Sequence, residues 1–422
     1  MKFPLEWIRA NFPALAEADQ GRVRIYADNP AGTQVPASVA QAVAKTMLYS
    51  CANLGGHFVT SLAADQIVAD AHANAATFVG AWSEREVIIG PSMTSLTFHL
   101  SRSICRDFQP GDEIVITRME HEGNVGPWLE MACDKGLTIR WVPFDLQTWK
   151  VEPEALAAVL AAAQPGRVRL VCLNYASNMT GSVNDVPALA RLATASGALV
   201  YVDAVQLAPH HLVDVQAIGC DFLVCSAYKF FGPHLSLLWG REEVLRGLHP
   251  YKGRCVTDDL PGRFETGTPQ VELLAGLSAT IAYFADLGRM LGADGDVRSC
   301  IAAAYTASRA HEEGLSLRLV DALLQTDGVQ IFGITNSNRM GERVPTISLR
   351  VDGHKPSDLA RGFADAGIFV WHGHNYAYES ALQLGLPLDE GVIRIGLTHY
   401  NTDAEVDRIA ATLDHLVREK HT

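Results

Sequence analysis

The sequence predicts an α/β protein: a large, mostly parallel sheet with helices on both faces, plus a small α+β C-terminal domain. Three observations predict it. From about residue 85, short β-rich runs alternate with helical patterns. Most of those runs are nearly continuously apolar, as strands buried on both faces must be. Past two long helical stretches, 271–287 and 297–325, the pattern becomes a compact mixture of strands and helices. Alternating strands and helices build crossover units, and crossover units build a parallel sheet.

In order, residues 86–90 read as the first strand and 94–106 as the helix after it. Strands at 113–117 and 137–142, a helix at 152–163, a strand at 168–174 and a helix at 186–196 follow. Strands at 199–203, 221–225 and 235–239 complete the large sheet. Beyond the long helices come a strand (343–351), a helix (356–366), strands at 368–371 and 392–397, and a helix (402–418). This divides the chain into a large domain, 26–290, and a small domain made of 1–25 and 291–422, with the N-terminal segment packed on the small domain.

Of the 422 residues, 48% are hydrophobic and 19% charged, which supports a substantial core and excludes broad disorder. A net charge of −13 leaves no basic excess to neutralise phosphates. It disfavours nucleic acid and anionic membrane as partners and favours a small-molecule substrate. The eight cysteines form no CxxC pair. At this size that pattern points to a reducing, cytoplasmic setting. The N-terminus lacks the apolar stretch of a signal peptide, and the alanine-rich run 155–163 is too short to span a bilayer. No metal site is expected.

The chemistry centres on Lys229, in Ser226-Ala227-Tyr228-Lys229 just after an apolar run. A lysine at the end of a buried strand loses the water around its ammonium, so its pKa falls and it becomes a usable amine. Such an amine forms a Schiff base with an aldehyde. Asp203 ends another apolar run and suits the protonated ring nitrogen of pyridoxal 5'-phosphate. Both residues also read as polar residues that merely follow strands. Gly90-Pro91-Ser92-Met93-Thr94-Ser95, between a strand and a helix, suits an anion at a helix N-terminus, though a plain N-cap by Ser92 or Thr94 reads the same. His121 suits stacking on an aromatic ring and passing protons; a lone histidine is also often structural. Asn178 and Gln206 suit a phenolic oxygen, and Asn178 also reads as a turn residue. No GxGxxG follows a strand, which argues against a nicotinamide oxidoreductase.

Met119-Glu120-His121, Ser177-Asn178, Asp203-Ala204-Val205-Gln206, Ser226-Ala227-Tyr228-Lys229 and Phe264-Glu265-Thr266-Gly267-Thr268-Pro269 occur in the order found in class V aminotransferase-fold enzymes. The chain resembles the branch of cysteine desulfurases and selenocysteine lyases, from about Tyr26 to Leu416. The resemblance implies a fold-type I transferase and a homodimer with shared sites. Lys229 then forms the Schiff base and shuttles the Cα proton. Asp203 pairs with the ring nitrogen, His121 stacks on the ring, and Asn178 and Gln206 contact its hydroxyl. Ser92, Met93 (through its amide), Thr94, Ser226 and Tyr228 serve the phosphate, with Thr268 reaching it from the neighbouring subunit. Arg394, in Val392-Ile393-Arg394-Ile395-Gly396, grips the substrate carboxylate, a role suited to a planar fork of donors.

The resemblance fails at one place that matters. Desulfurases carry a nucleophilic cysteine in a loop like Gly-His-His-Cys-Ala; here Gly373-His374-Asn375-Tyr376-Ala377 stands instead, and no cysteine follows Cys300. A phenol cannot form a persulfide. Tyr376 is expected to protonate a leaving thiolate or seal the pocket. Asn29, His57, His372 and Asn375 are expected to line the substrate site, and Cys255 reads as a displaced thiol or a plain loop cysteine. The reading that follows is a carbon–sulfur lyase for a cysteine-like amino acid. Transamination and epimerisation on the same scaffold differ only in where the proton goes, and a protein that binds the cofactor without turnover is a further alternative.

Overall fold

The computed structural model describes residues 3–19 and 21–419. Residues 1, 2, 20 and 420–422, which the expected domain boundaries include, lie outside the described residues. The large sheet has seven strands: β1 (Val87–Gly90), β2 (Glu113–Thr117), β3 (Thr138–Val142), β4 (Val168–Asn174), β5 (Leu199–Asp203), β6 (Phe222–Ser226) and β7 (Ser236–Gly240). Their order is β1-β7-β6-β5-β4-β2-β3. Strands β2 to β6 pair in parallel, and β7 runs antiparallel to both of its neighbours.

The apolar runs form strands because both faces of the sheet are covered. Every residue of β2, β6 and β7 is buried. Side chains alternate along a strand, so Leu223 and Cys225 enter one core while Phe222 and Val224 enter the other. Each such side chain, fully buried, contributes about 1.5–3 kcal/mol. Helix Val271–Met290 is long and apolar enough to cross a membrane by length and composition. Its Leu274, Leu277, Ile281, Phe284 and Leu287 are instead buried in the core of the large sheet.

The small sheet is antiparallel: β8 (Val329–Phe332), β9 (Thr346–Val351), β10 (Trp371–Gly373) and β11 (Val392–Gly396), in the order β8-β9-β11-β10. Helices Val297–Leu323, Pro356–Asp365 and Asp403–Glu419 share its core. Several details differ from the sequence reading. The strand expected at 343–351 begins only at Thr346, because Arg343 turns inward and donates to the Ile334 carbonyl. The run 368–371 breaks in two: Ile368–Phe369 pairs with Ile25–Tyr26, and Trp371–Gly373 pairs with β11. Strand β8 and helices Ala37–Tyr49, Val59–Val79 and Tyr378–Gln383 were not expected. The N-terminal segment does not pack on the small sheet as a unit. Ile8, Phe12 and Leu15 join the core of the large sheet, where Phe12 meets the Phe231 ring edge-on at 5.7 Å.

Candidate active site

Parallel strands end together, and their carboxyl ends open on one crevice. Asn174 ends β4 directly opposite Asp203, which ends β5; Ser226 ends β6. Ten of the eleven residues expected to hold the cofactor line one cavity of about 450 Å³: Ser92, Met93, Thr94, His121, Asn178, Asp203, Gln206, Ser226, Tyr228 and Lys229. Asn174 and Val205 line it too and were missed, although each adjoins a strand end already singled out. Thr268 lies outside, exposed in a neighbouring cleft with Pro91, Ser95 and His72.

Lys229 is buried, and its ammonium donates to the carbonyl of Pro30 and, at 3.3 Å, to that of Ala31. Burial, with the Arg394 charge adding to it, pushes its pKa down to about 7. Asp203 is fixed by the Val205 N–H at 2.8 Å, and burial raises its pKa to about 6. Near it lies Glu120, fully buried and bonded to the Thr117 hydroxyl at 2.6 Å and the Asn124 amide at 2.8 Å. Burial first, and then the Asp203 charge, lift Glu120 to about 8. At neutral pH Glu120 is therefore a neutral acid and does not compete with Asp203 as the local anion.

His121 accepts from the Gly123 N–H through Nδ1 at 2.9 Å, which places its proton on Nε2. Burial, with Lys229 and Arg394 nearby, lowers its pKa to about 3, so the ring is neutral. Gly123 permits this approach: a Cβ there would stand 2.8 Å from Thr94 Oγ1 and 2.9 Å from Met93 Sδ. Ser92 caps helix Met93–Ile104 by accepting from the Ser95 N–H at 3.1 Å, and Ser226 shares a hydroxyl bond with Ser236 at 2.8 Å. Tyr228 stacks on His234 at 4.8 Å.

These groups fit pyridoxal phosphate. Asn174 Oδ1, Asn178 Oδ1 and Gln206 Oε1 are buried with no hydrogen-bond partner among the described residues. Buried acceptors of this kind are rare in folded proteins, and three border one cavity. A helix N-terminus stands in the same cavity as the Asp203 carboxylate. That combination suits a group with a phosphate and a protonated ring nitrogen.

The expected substrate residues divide. Arg394 is buried in β11, donating to the Asn178 carbonyl at 3.2 Å and to Asp28 at 3.3 Å. Asn375 and Tyr376 stand over the site, both in the left-handed region (φ +54° and +59°), which bulky residues avoid. Their carbonyls are held by Asn178 Nδ2 at 2.6 Å and the Glu122 N–H at 2.7 Å, and the Tyr376 ring stacks on His121 at 5.5 Å. Asn29 is a correction. Its amide donates to the carbonyls of Gly396 at 2.8 Å and Tyr26 at 3.0 Å and accepts from the Tyr400 hydroxyl, so it fastens the 26–33 loop and does not line the Lys229 cavity. His57 is exposed, and His372 is half-buried on β10; neither lines the cavity. All eight cysteines are free, and Cys255 is exposed.

A large parallel sheet whose strand ends carry a buried lysine and aspartate defines a pyridoxal-phosphate enzyme. The aminotransferase class-V family matches residues 25–409, and the chain belongs to it. It is 32% identical to an aminotransferase-like protein of Gibberella zeae, over 98% of each chain. It is 31% identical to a cysteine desulfurase of Serratia proteamaculans, over 99% of each. Among solved structures, a cysteine desulfurase of Thermococcus onnurineus superposes with a TM-score of 0.86 at 26% identity, over 99% of both chains.

Proposed function

We propose that this protein cleaves the carbon–sulfur bond of a cysteine-like amino acid by β-elimination, without forming a persulfide on itself. The observation that supports this most is the layer above the cavity, where a tyrosine ring and not a thiol covers His121. Bound pyridoxal phosphate supplies an electron sink that acidifies the Cα–H of an attached amino acid.

Lys229 is the covalent anchor and then the base that takes the Cα proton. An amine with a pKa of about 7 is matched to that task at neutral pH. With the group bound, Asp203 would hold a negative charge for its ring nitrogen. His121, a neutral imidazole, would stack on its ring. Asn178 and Gln206 would serve its ring hydroxyl. Ser92, the Met93 amide, Thr94, Ser226 and Tyr228 take the phosphate. Arg394 orients the substrate carboxylate, and the Tyr376 phenol protonates the departing sulfur or closes the pocket.

The same reading includes a twofold dimer with shared sites. Thr268 lies outside its own chain's cavity, which suits service to a partner. Met47, Leu48, Tyr49, Phe58, Val59 and Leu62 are exposed apolar residues on two consecutive helices and the turn before the second. Large exposed apolar patches mark interfaces. His57 lies on that turn and would meet the substrate from the partner's side. Eight free thiols suit a reducing, cytoplasmic compartment.

The test is to give the cofactor-loaded protein L-cysteine and measure pyruvate, ammonium, sulfide and the intact mass of the chain. Equal amounts of pyruvate and sulfide with no sulfur added to the chain are expected. A build-up of the amine form of the cofactor without pyruvate selects an aminotransferase. Loss of optical activity alone selects an epimerase. An amino-acid panel that leaves the visible spectrum unchanged leaves only a binding protein.

A further inference from the structure

In the Phe264-Glu265-Thr266-Gly267-Thr268-Pro269 motif, Glu265 takes no part in the chemistry above, yet it is bound on two sides. Its Oε1 accepts from the Ile89 N–H at 2.7 Å and meets His72 Nε2 at 2.8 Å. Ile89 stands one residue before Gly90, the end of β1, where the chain turns toward the Ser92 cap of helix Met93–Ile104. His72 lies on helix Val59–Val79. One carboxylate oxygen therefore ties together the Thr268 segment, the end of β1 and that helix. Thr266, Gly267 and Thr268 are exposed, whereas Phe264 is buried in the core, so Phe264 and Glu265 are the footing of the segment.

The other ring nitrogen decides the charge of His72. Its Nδ1 stands 2.8 Å from the Val68 carbonyl, one turn back. A carbonyl and an ionised carboxylate both accept only, and a neutral imidazole has a single N–H to give. Only the imidazolium makes both bonds at once. The His72 side chain is 8% exposed, so water has little access to replace a lost bond. Burial opposes the charge, but the Glu265 carboxylate, the Val68 carbonyl and, less strongly, Glu84 outweigh it and hold the His72 pKa above the ordinary histidine value. His99 borders the same cleft from helix Met93–Ile104. Burial, and then Arg102, lower its pKa, so it brings no competing positive charge at neutral pH.

We propose that His72, as an imidazolium, is a positioning residue for the cofactor phosphate: through Glu265 it fixes both the segment bearing Thr268 and the strand end leading to Ser92, and loss of its proton loosens that grip. The proposal rests on the reading in which Thr268 serves the phosphate of the partner's site. The folded pKa is raised, so the stabilisation is complete below the ordinary histidine value and fades as pH climbs through the folded value.

The test measures pyridoxal-phosphate dissociation constants by absorbance titration at pH 6 and pH 9, on the acid and alkaline sides of histidine titration. The thermal midpoint of each apoprotein is recorded at both. His72→Arg keeps a cation with several donors at every pH, while Lys229 and the cofactor titrate alike in both proteins. The wild-type ratio of dissociation constants, pH 9 over pH 6, is expected to exceed that of His72→Arg by about tenfold, the worth of a hydrogen bond to a charged group. The midpoint of the wild type should fall behind that of His72→Arg as pH rises. His72→Asn should bind about tenfold more weakly than wild type at pH 6 and equal it at pH 9. Glu265→Gln, which removes the anion, should flatten the ratio by about tenfold as well and serves if His72→Arg does not fold. Wild-type and variant ratios within about twofold of each other overturn the proposal, as does a His72→Asn protein with wild-type affinity at pH 6. Thr268→Ala tells the two readings apart: unchanged affinity there removes the shared site, whereas weakened affinity with parallel ratios removes only the role of His72.

Discussion

The floor and the roof of the cavity are built in opposite ways. The floor is made of strand ends: Asn174, Asp203 and Ser226 are set by backbone pairing between neighbouring buried strands. The roof, residues 373–378, is held by contacts that cross the molecule. Asn178 holds Asn375, the Glu122 N–H holds Tyr376, and Arg118 pairs with Glu379 while its carbonyl accepts from the Ser380 hydroxyl at 2.8 Å. Gln383 adds a bond to the Phe144 carbonyl at 2.6 Å. A floor fixed by the sheet can be shared by a whole family. A roof fixed by side chains can change with few substitutions.

If that division is right, damage to the floor removes chemistry outright. Lys229→Ala should abolish any borohydride-fixed adduct at residue 229 and lower turnover by about 10²–10⁴-fold or more, the usual worth of a positioned base. Asp203→Asn should follow, with a loss of about 10²–10³-fold in kcat and little change in KM, because it removes charge stabilisation and not binding. Steady-state kinetics on both variants checks the order. A Tyr376 variant as damaged as Asp203→Asn would break the comparison.

The same division explains what could be read from the sequence. Floor residues follow apolar runs, so strand reading alone places Lys229, Asp203 and Asn178 near one another. Roof and wall contacts join residues far apart in the chain: Asp28 to Arg394, Asn29 to Gly396, Asn178 to Asn375. Nothing in the local sequence sets those pairs. Asn29 was expected in the site and Asp28 was not. Residues 28–31 form a turn closed by the Ala31 N–H on the Asp28 carbonyl, so no strand or helix period could say which of the two faces Arg394. His57 lies away from its own chain's cavity, on a surface turn, and the local sequence gives no sign of that.

A smaller effect, on pH, sharpens the account of the floor. Lys229 is lowered to about 7 by burial, so the folded apoprotein holds fewer protons there than the unfolded chain between about pH 7 and the ordinary lysine value. Stability from this group therefore rises with pH across that window and is absent below it. The rate at which apoprotein captures pyridoxal phosphate should climb through about pH 7 and then level off, falling toward tenfold per unit on the acid side. Stopped-flow absorbance measures it. A midpoint near the ordinary lysine value would mean that the floor is wetter than its burial suggests.

The smallest expected effect belongs to the roof. Tyr376→Phe keeps the ring that stacks on His121 and removes only the hydroxyl. If the phenol merely seals the pocket, kcat for cysteine should change by less than about threefold, within the cost of one exposed hydrogen bond. If it protonates the leaving sulfur, kcat should fall by about 10²-fold for cysteine, while a substrate with a better leaving group, such as β-chloroalanine, should be unaffected, since a general acid matters only where the leaving group needs a proton. Tyr376→Ala separates the two roles further: it also uncovers His121, so both substrates should slow together. The exposed edge of Tyr376 and its firmly held backbone favour the sealing role, because a side chain two-thirds open to water provides a weakly controlled proton donor but an effective cover for the neutral imidazole beneath it.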